Sequence, residues 1–298
     1  VSVTVRVPAK VNVQLAVGAA RPDGFHALAN VFLAVSLFDE VTATPAATLT
    51  VTCEGPDADR VPLDRTNLAA RAAELLAERA GIEPAVHLHI AKSIPVAGGM
   101  AGGSADGAAA LLACDALWGL NTPRAELLDI CAVLGSDVPF SLVGGAALGT
   151  GRGELLTPVE AGAFHWVFAV ADGGLSTPAV FHEFDRLTAG TAVPEPEASP
   201  ALLAALASGD PDALAATLAN DLQPAALSLR PALADTLAAG TGAGALAALV
   251  SGSGPTTAFL VRDEEAAAKV AAALEASGTC RATRVASGPA PGATVLPA

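Results

Sequence analysis

No stretch of this sequence comes near the ~18 consecutive apolar residues that a membrane-spanning helix needs, although 52% of its 298 residues are apolar. The longest candidates, Val31 to Val35 and Ala245 to Val250, have the length of buried strand or helix pieces. The opening Val-Ser-Val-Thr-Val-Arg alternates and lacks the basic-then-apolar order of a secretory leader, so a cytoplasmic protein without membrane contact is expected. Cysteine is sparse. Cys53, Cys114, Cys131 and Cys280 form no Cys-x-x-Cys pair or ligand run, which argues against a zinc site or disulfide framework and leaves core thiols. Positive charge is also short: 16 Lys and Arg face 30 Asp and Glu, for a net charge of −14. Such a surface cannot neutralise a nucleic-acid backbone, so no nucleic-acid partner is expected and any polyanion must be met at a local site. Lysine is the rarest charged residue, present only as Lys10, Lys92 and Lys269. The first two lie beside motifs described below, where a compact ammonium on a flexible stem suits the chemistry.

The length exceeds one usual core, so two packed lobes or one large α/β unit are expected. Val3, Val5 and Val7 alternate, then Val11, Val13, Leu15 and Val17 resume the period after Pro8-Ala9, which predicts a strand pair or one bent strand. The same period puts Lys10, Asn12 and Gln14 together on the opposite face. After the turn Arg21-Pro22-Asp23-Gly24, a strand is predicted over Val31 to Phe38. A helix follows from Thr66 or Asn67 to Gly81, a strand over Val86 to Ile90, and helices from Ser104 to Trp118 and from Thr122-Pro123 to Gly135. Further strands are predicted at 145–148, 166–170, 257–261 and 283–286, with helices at 201–206, 211–222, 231–239 and 264–276. The Pro- and Glu-rich stretch 188–200 reads as a mobile loop. No internal repeat is present, and a lobe boundary near residue 160 divides the chain into 1–160 and 161–298.

The strongest chemical signal is Pro95-Val96-Ala97-Gly98-Gly99-Met100-Ala101-Gly102-Gly103-Ser104-Ala105-Asp106, between a predicted strand and a predicted helix. Glycines let the backbone curl until its N–H groups face inward, and the loop feeds a helix N-terminus whose dipole favours phosphate. It is not a Walker A loop, because Gly103 is followed directly by Ser104 with no lysine between them, and its glycines miss the Rossmann spacing. Ser104 is placed to cap the helix. His87 and His89 share one strand face with no third ligand at matching spacing, which points to solvent-facing side chains and no metal site.

This loop resembles the second signature motif of the GHMP kinases. Pro8-Ala9-Lys10-Val11-Asn12-Val13-Gln14-Leu15 resembles the first motif, and Val250-Ser251-Gly252-Ser253-Gly254-Pro255 the third. Gly24-Phe25-His26-Ala27-Leu28 and Gly135-Ser136-Asp137-Val138-Pro139-Phe140 resemble two further segments of one branch of that family. The motifs fall in order over nearly the whole chain. Departures are Met100-Ala101 where Leu-Gly is frequent, Ala105 where Ser is common, and Phe25 in place of Tyr.

The resemblance implies a two-lobe α+β fold, with an N-terminal lobe like ribosomal protein S5, a ferredoxin-like C-terminal α/β lobe and the active site in the cleft between them. It implies ATP-dependent phosphorylation of the 2-hydroxyl of 4-diphosphocytidyl-2-C-methyl-D-erythritol, with magnesium accompanying ATP, by a monomer or homodimer. A mevalonate- or homoserine-type acceptor, or a non-catalytic nucleotide-binding regulator, are the alternatives. By the same resemblance Lys10 and Asp137 are catalytic and the loop from Pro95 to Ala105 binds ATP with Asn67 and Lys92. Asn12, Phe25, His26, Thr177 and Phe181 hold the acceptor.

Overall fold

A computed structural model describes residues 1–298. The chain opens with two long antiparallel strands, β1 (Val3–Ala20) and β2 (His26–Pro45), followed by β3 (Thr50–Glu54), helix α1 (Leu68–Ala80) and β4 (Val86–Ala91). Helices α2 (Gly102–Trp118), α3 (Arg124–Leu134) and α4 (Val138–Val143) lead to the hairpin β5 (Ala146–Thr150) and β6 (Leu155–Pro158). Next come β7 (Phe164–Val170), α5 (Thr177–Thr188), α6 (Pro200–Ser208), α7 (Pro211–Ala215), the two-residue β8 (Ala219–Asn220), α8 (Gln223–Leu229) and α9 (Leu233–Gly242). The chain ends with β9 (Ala247–Val250), β10 (Thr257–Val261), α10 (Glu264–Ser277), β11 (Ala282–Gly288) and β12 (Thr294–Val295).

The alternating segment at the start is one bent strand. β1 follows β2 along its length, with register shifts at Pro8/Ala9, Asn12/Gln14 and Val17/Ala20. Pro8 has no N–H to give a ladder, which favours an irregularity at that point. The first sheet runs β12-β1-β2-β4-β3, with β5 on β2, β6 on β5 and β8 on β1. Helix α2 is covered by the sheet and by α1, and its Ala105, Ala108, Ala109, Ala110 and Ala113 are all fully buried. A helix that is apolar all round belongs inside, and here small side chains set the close approach. Gly107 shows why: a Cβ there would stand 3.1 Å from Leu68 Cβ at the start of α1.

The second sheet is antiparallel in the order β11-β7-β10-β9, and alternation along β7 sorts its two faces. Phe164, Trp166 and Phe168 join the main core with the valines of β1, whereas Val167 and Ala169 pack with Ala267, Val270 and Leu274 of α10. One hydrophobic core therefore runs through both lobes. The chain leaves the first sheet after β6 and enters the second at β7, but β8 and β12 return to the first sheet at β1.

Two local expectations are corrected. The helix expected over 211–222 stops at Ala215, because the following residues find stronger partners in tertiary structure. Asn220 Nδ2 donates to the carbonyls of Val250 and Gly252, and Asp221 Oδ2 accepts from Val17 N. The loop expected after α5 is present, and its far end is bonded to β1: Gln14 Nε2 donates to Glu197 O at 2.9 Å, and Gln14 Oε1 accepts from Ser199 N at 2.9 Å. The helix expected to begin at Ser104 begins at Gly102, with Ala101 as its N-cap, so Ser104 sits inside the first turn.

A buried ionic cluster fixes the base of the glycine-rich loop. Lys92 Nζ lies 2.6 Å from Asp39 Oδ2 and 2.9 Å from Asp106 Oδ2, and all three side chains are at most 4% exposed. Asp39 Oδ1 also accepts from Ser93 N and Ile94 N, tying β2 and α2 to the strand exit. Burial pushes the Asp106 carboxyl well above the usual carboxylate range, with Lys92 opposing and Asp39 adding to the rise. Burial works to lower the Lys92 pKa, but the two carboxylates hold it above the ordinary lysine value. Replacing Lys92 with Met strands a buried carboxylate, so urea denaturation of Lys92→Met is expected to show a loss of ~3–5 kcal/mol. Lys269→Met, on the exposed side of α10, is expected to stay within ~0.5 kcal/mol of the parent.

Candidate active site

The lobes enclose a cavity of about 800 Å³, walled by the glycine-rich loop, the middle of β1, the turn before β2, the start of α5 and the turn after β9. From the loop, Ala97, Gly98, Gly99, Ala101, Gly102, Gly103 and Ser104 line it. Pro95, Val96, Met100 and Ala105 do not; Met100 is fully buried and its carbonyl accepts from Lys10 N at 3.3 Å. The glycines serve separate purposes. A Cβ on Gly99 would meet Ser251 O at 2.1 Å and one on Gly98 would meet Thr256 Oγ1 at 2.6 Å, so these two allow the second lobe's turn to press on the loop. Gly103 has nothing within 4 Å of a Cβ and presents open backbone at the start of α2. Ala97 and Ala101 are left-handed, with φ of 53° and 61°, a conformation glycine adopts more readily.

Two of the nucleotide residues expected from the sequence lie outside this wall. Lys92 is held beneath the loop by Asp39 and Asp106. Asn67 is the N-cap of α1: its Oδ1 accepts from Ala69 N and its Nδ2 donates to Pro62 O. Its neighbour Leu68 lines the cavity instead.

At the centre, Lys10 Nζ donates to Asn12 Oδ1 at 2.5 Å and to Gly99 O at 3.0 Å, and Asp137 Oδ2 stands 3.9 Å away. Lys10 is 5% exposed, and burial pushes its pKa below the ordinary lysine value while Asp137 opposes the shift. Asn12 Nδ2 donates to Asn30 Oδ1 at 2.6 Å, so the three polar groups on this face of the hairpin form one chain. Asp137 is at the N-terminus of α4, but its side chain makes no capping bond and lines the cavity. From the other lobe, Ser251 Oγ donates to Gly99 O at 3.2 Å, and Ser253 Oγ is 2.9 Å from Thr177 Oγ1.

Phe25, His26 and Phe181 line the far end, and Thr177 lines the wall beside Ser253. Phe25 is 47% exposed, leaving much of its ring open. His26 is buried, with Nε2 hydrogen bonded to Asp185 at 2.7 Å and its ring 4.9 Å from that of Phe181. Asn30, Arg152 and Asp185 line the same cavity and were not singled out from the sequence. Asn30 gives a signal, as a polar residue beside the apolar run from Val31, and Asp185 lies one helical turn beyond Phe181. Elsewhere, His87 and His89 bond to Thr50, Thr52 and Glu54 on an open sheet face, and no three His, Cys, Asp or Glu side chains are grouped to hold a metal.

The chain matches the GHMP kinases N terminal domain over residues 67–145 and the GHMP kinases C terminal domain over residues 202–280. It is 77% identical to the 4-diphosphocytidyl-2-C-methyl-D-erythritol kinase of Streptomyces avermitilis, over 99% of this chain and 100% of that one. It is 76% identical to the enzyme of the same name from Streptomyces coelicolor, over 99% of each chain. Among solved structures, a 4-(cytidine 5'-diphospho)-2C-methyl-D-erythritol kinase superposes with a TM-score of 0.76 at 32% identity, covering 95% of this chain and 98% of that one. With the glycine-rich loop, the β1 lysine and the second-lobe turn meeting in one cleft, and both halves of the family pattern matched in order, the chain belongs to the GHMP kinases.

Proposed function

We propose that this kinase transfers the γ-phosphoryl group of ATP to the 2-hydroxyl of 4-diphosphocytidyl-2-C-methyl-D-erythritol, a step of the non-mevalonate route to isoprenoid precursors. The observation that carries this reading is that one cavity joins an aromatic and imidazole pocket, at Phe25 and His26, to a Lys10/Asp137 pair beside the glycine-rich loop. Relatives 77% and 76% identical to this chain bear the name of that enzyme.

Phosphoryl transfer asks for positioning and charge stabilisation more than covalent help. The open backbone at Gly103 and the first turn of α2 offer N–H groups and a positive dipole end to the ATP phosphates. Lys10, fixed by Asn12 and Gly99 O, keeps its remaining donor for the acceptor oxygen and for charge developing on the transferring group. Asp137, across a 3.9 Å gap that a hydroxyl can bridge, takes the proton as the oxygen–phosphorus bond forms and the bond to the leaving ADP breaks. At the far end, Phe25 and Phe181 supply apolar ring faces for the cytosine, and His26 is oriented by Asp185 to meet its edge. Asn12 and Thr177 lie where they meet the methylerythritol portion. Magnesium would enter with the ATP phosphates, with the Ser104 hydroxyl as the oxygen that the cavity wall offers it and water supplying the remaining ligands.

ADP release should be seen with ATP, magnesium and the cytidyl substrate, and should be lost when the acceptor is the methylerythritol phosphate lacking its cytidyl group. Equal turnover of mevalonate or homoserine would redirect the assignment within the family. In the same assay Lys10→Ala and Asp137→Asn are each expected to lower kcat by at least ~10²-fold, with Lys269→Ala unchanged. A second test uses pH. A lysine whose pKa is depressed in the folded protein loses its charge earlier as pH rises, so kcat/KM should fall along an alkaline limb lying below the ordinary lysine value of ~10.4. Lys10→Arg, always charged, should lack that limb whatever its residual rate.

A further inference from the structure

The reading above leaves one charge unaccounted for. The cytidyl substrate carries a diphosphate between its base and its methylerythritol end, and that group must cross a cavity in a protein of net charge −14. The ionisable side chains lining the cavity are Lys10, His26, Asp137, Arg152, His182 and Asp185. Two are carboxylates, one at each end. Of the lysine and the arginine among them, Lys10 is buried against Asn12, Gly99 and Asp137 at the reacting end. The other is Arg152.

The fold delivers this arginine with some care. It sits in the turn between β5 and β6, flanked by Gly151 and Gly153 with φ of 69° and 109°. Leu28 N donates to Gly151 O and Gly153 N to Thr150 O, both at 2.9 Å, so the turn is laced to β2 just beyond His26. Gly149 allows the approach, since a Cβ there would stand 2.5 Å from Gly153 O and 2.7 Å from the Phe32 ring. Glu154 Oε2 accepts from Arg152 N at 2.7 Å, and its other oxygen is 3.7 Å from Arg152 Nε. The guanidinium carbon then lies 4.8 Å from the centroid of Phe25, over the ring. Its Nη atoms have no hydrogen-bond partner in the chain, although the side chain is only 32% exposed. A guanidinium set on an aromatic face and left with free donors is a fork prepared for an oxyanion.

Taking the cytidyl acceptor as given, we infer that Arg152 is a substrate-binding residue that grips the diphosphate of the acceptor while lying on Phe25. It distinguishes a diphosphate-bearing acceptor from its nucleoside, and it acts on binding, because the gripped group is the same in ground and transition states.

The test compares the parent protein with Arg152→Gln and Arg152→Lys, using the cytidyl substrate in steady-state kinetics and CDP and cytidine as competitive inhibitors. Arg152→Gln is expected to raise KM for the cytidyl substrate and the inhibition constant of CDP by about tenfold or more. The cytidine constant, KM for ATP and kcat should each stay within about twofold, and Arg152→Lys should recover part of the loss through its retained charge. An equal weakening of CDP and cytidine would overturn the proposal, leaving Arg152 as a prop for the Phe25 ring. So would an unchanged CDP constant. A parent protein inhibited by neither ligand would remove the cytidyl reading itself, and the proposal with it.

Discussion

The carbonyl oxygen of Gly99 is where the molecule is tied together. It accepts from Lys10 on the first sheet and from Ser251 on the turn of the second lobe. That meeting is possible because residue 99 has no side chain: Ser251 O occupies the space a Cβ would need. The glycine-rich loop, the strand that carries Lys10 and the turn of the second lobe are therefore located by one acceptor and its immediate surroundings. A glycine-rich loop in isolation has many conformations. Here its shape is imposed from both lobes, with the Asp39–Lys92–Asp106 cluster holding its base and Thr256 N bonded to Gly98 O above.

The two buried lysines show how surroundings divide one residue type into two roles. Lys92 is clasped at short distance by two carboxylates, and their attraction outweighs burial, so its charge is secure. Lys10 faces a single carboxylate across a longer gap and leans on neutral acceptors, so burial prevails and its proton is held less firmly. The first arrangement suits architecture and the second suits a group that must respond to charge appearing beside it. Both occur in a strongly acidic chain, where cations are few and each is placed.

Much of the site was legible because its signals are local. Period two put Lys10, Asn12 and Gln14 on one face, and the glycine spacing with a following helix marked the phosphate-facing loop. The roles within that face needed tertiary structure: Gln14 turns out to hold the backbone at Glu197 and Ser199, outside the cavity wall. Lys92 stood beside the loop in sequence but beneath it in space, because its partners come from β2 and α2. Arg152 and Asp185 reach Phe25 and His26 across more than a hundred residues of chain, a juxtaposition that periodicity cannot report. The helix after the loop was expected from Ser104 but starts at Gly102, and Gly107 within it is accounted for by Leu68 packed against it. The helix expected through 222 failed for the same kind of reason, since Asn220 and Asp221 bond to distant partners that no local propensity encodes.

The β1–β2 hairpin has a consequence for what the cleft can measure. Lys10 pairs with Ala34 in its middle, and His26 pairs with Ala20 at its end. The pocket at His26 and the ammonium of Lys10 thus ride on one piece of hydrogen-bonded backbone, and their separation is a matter of strand rise rather than of lobe closure. The hairpin is a caliper. Side-chain changes at its end alter the pocket at His26, but the reach from that pocket to Lys10 is fixed in the peptide chain itself. For the acceptor proposed above, that fixed reach would act as a gauge of length as well as of chemistry.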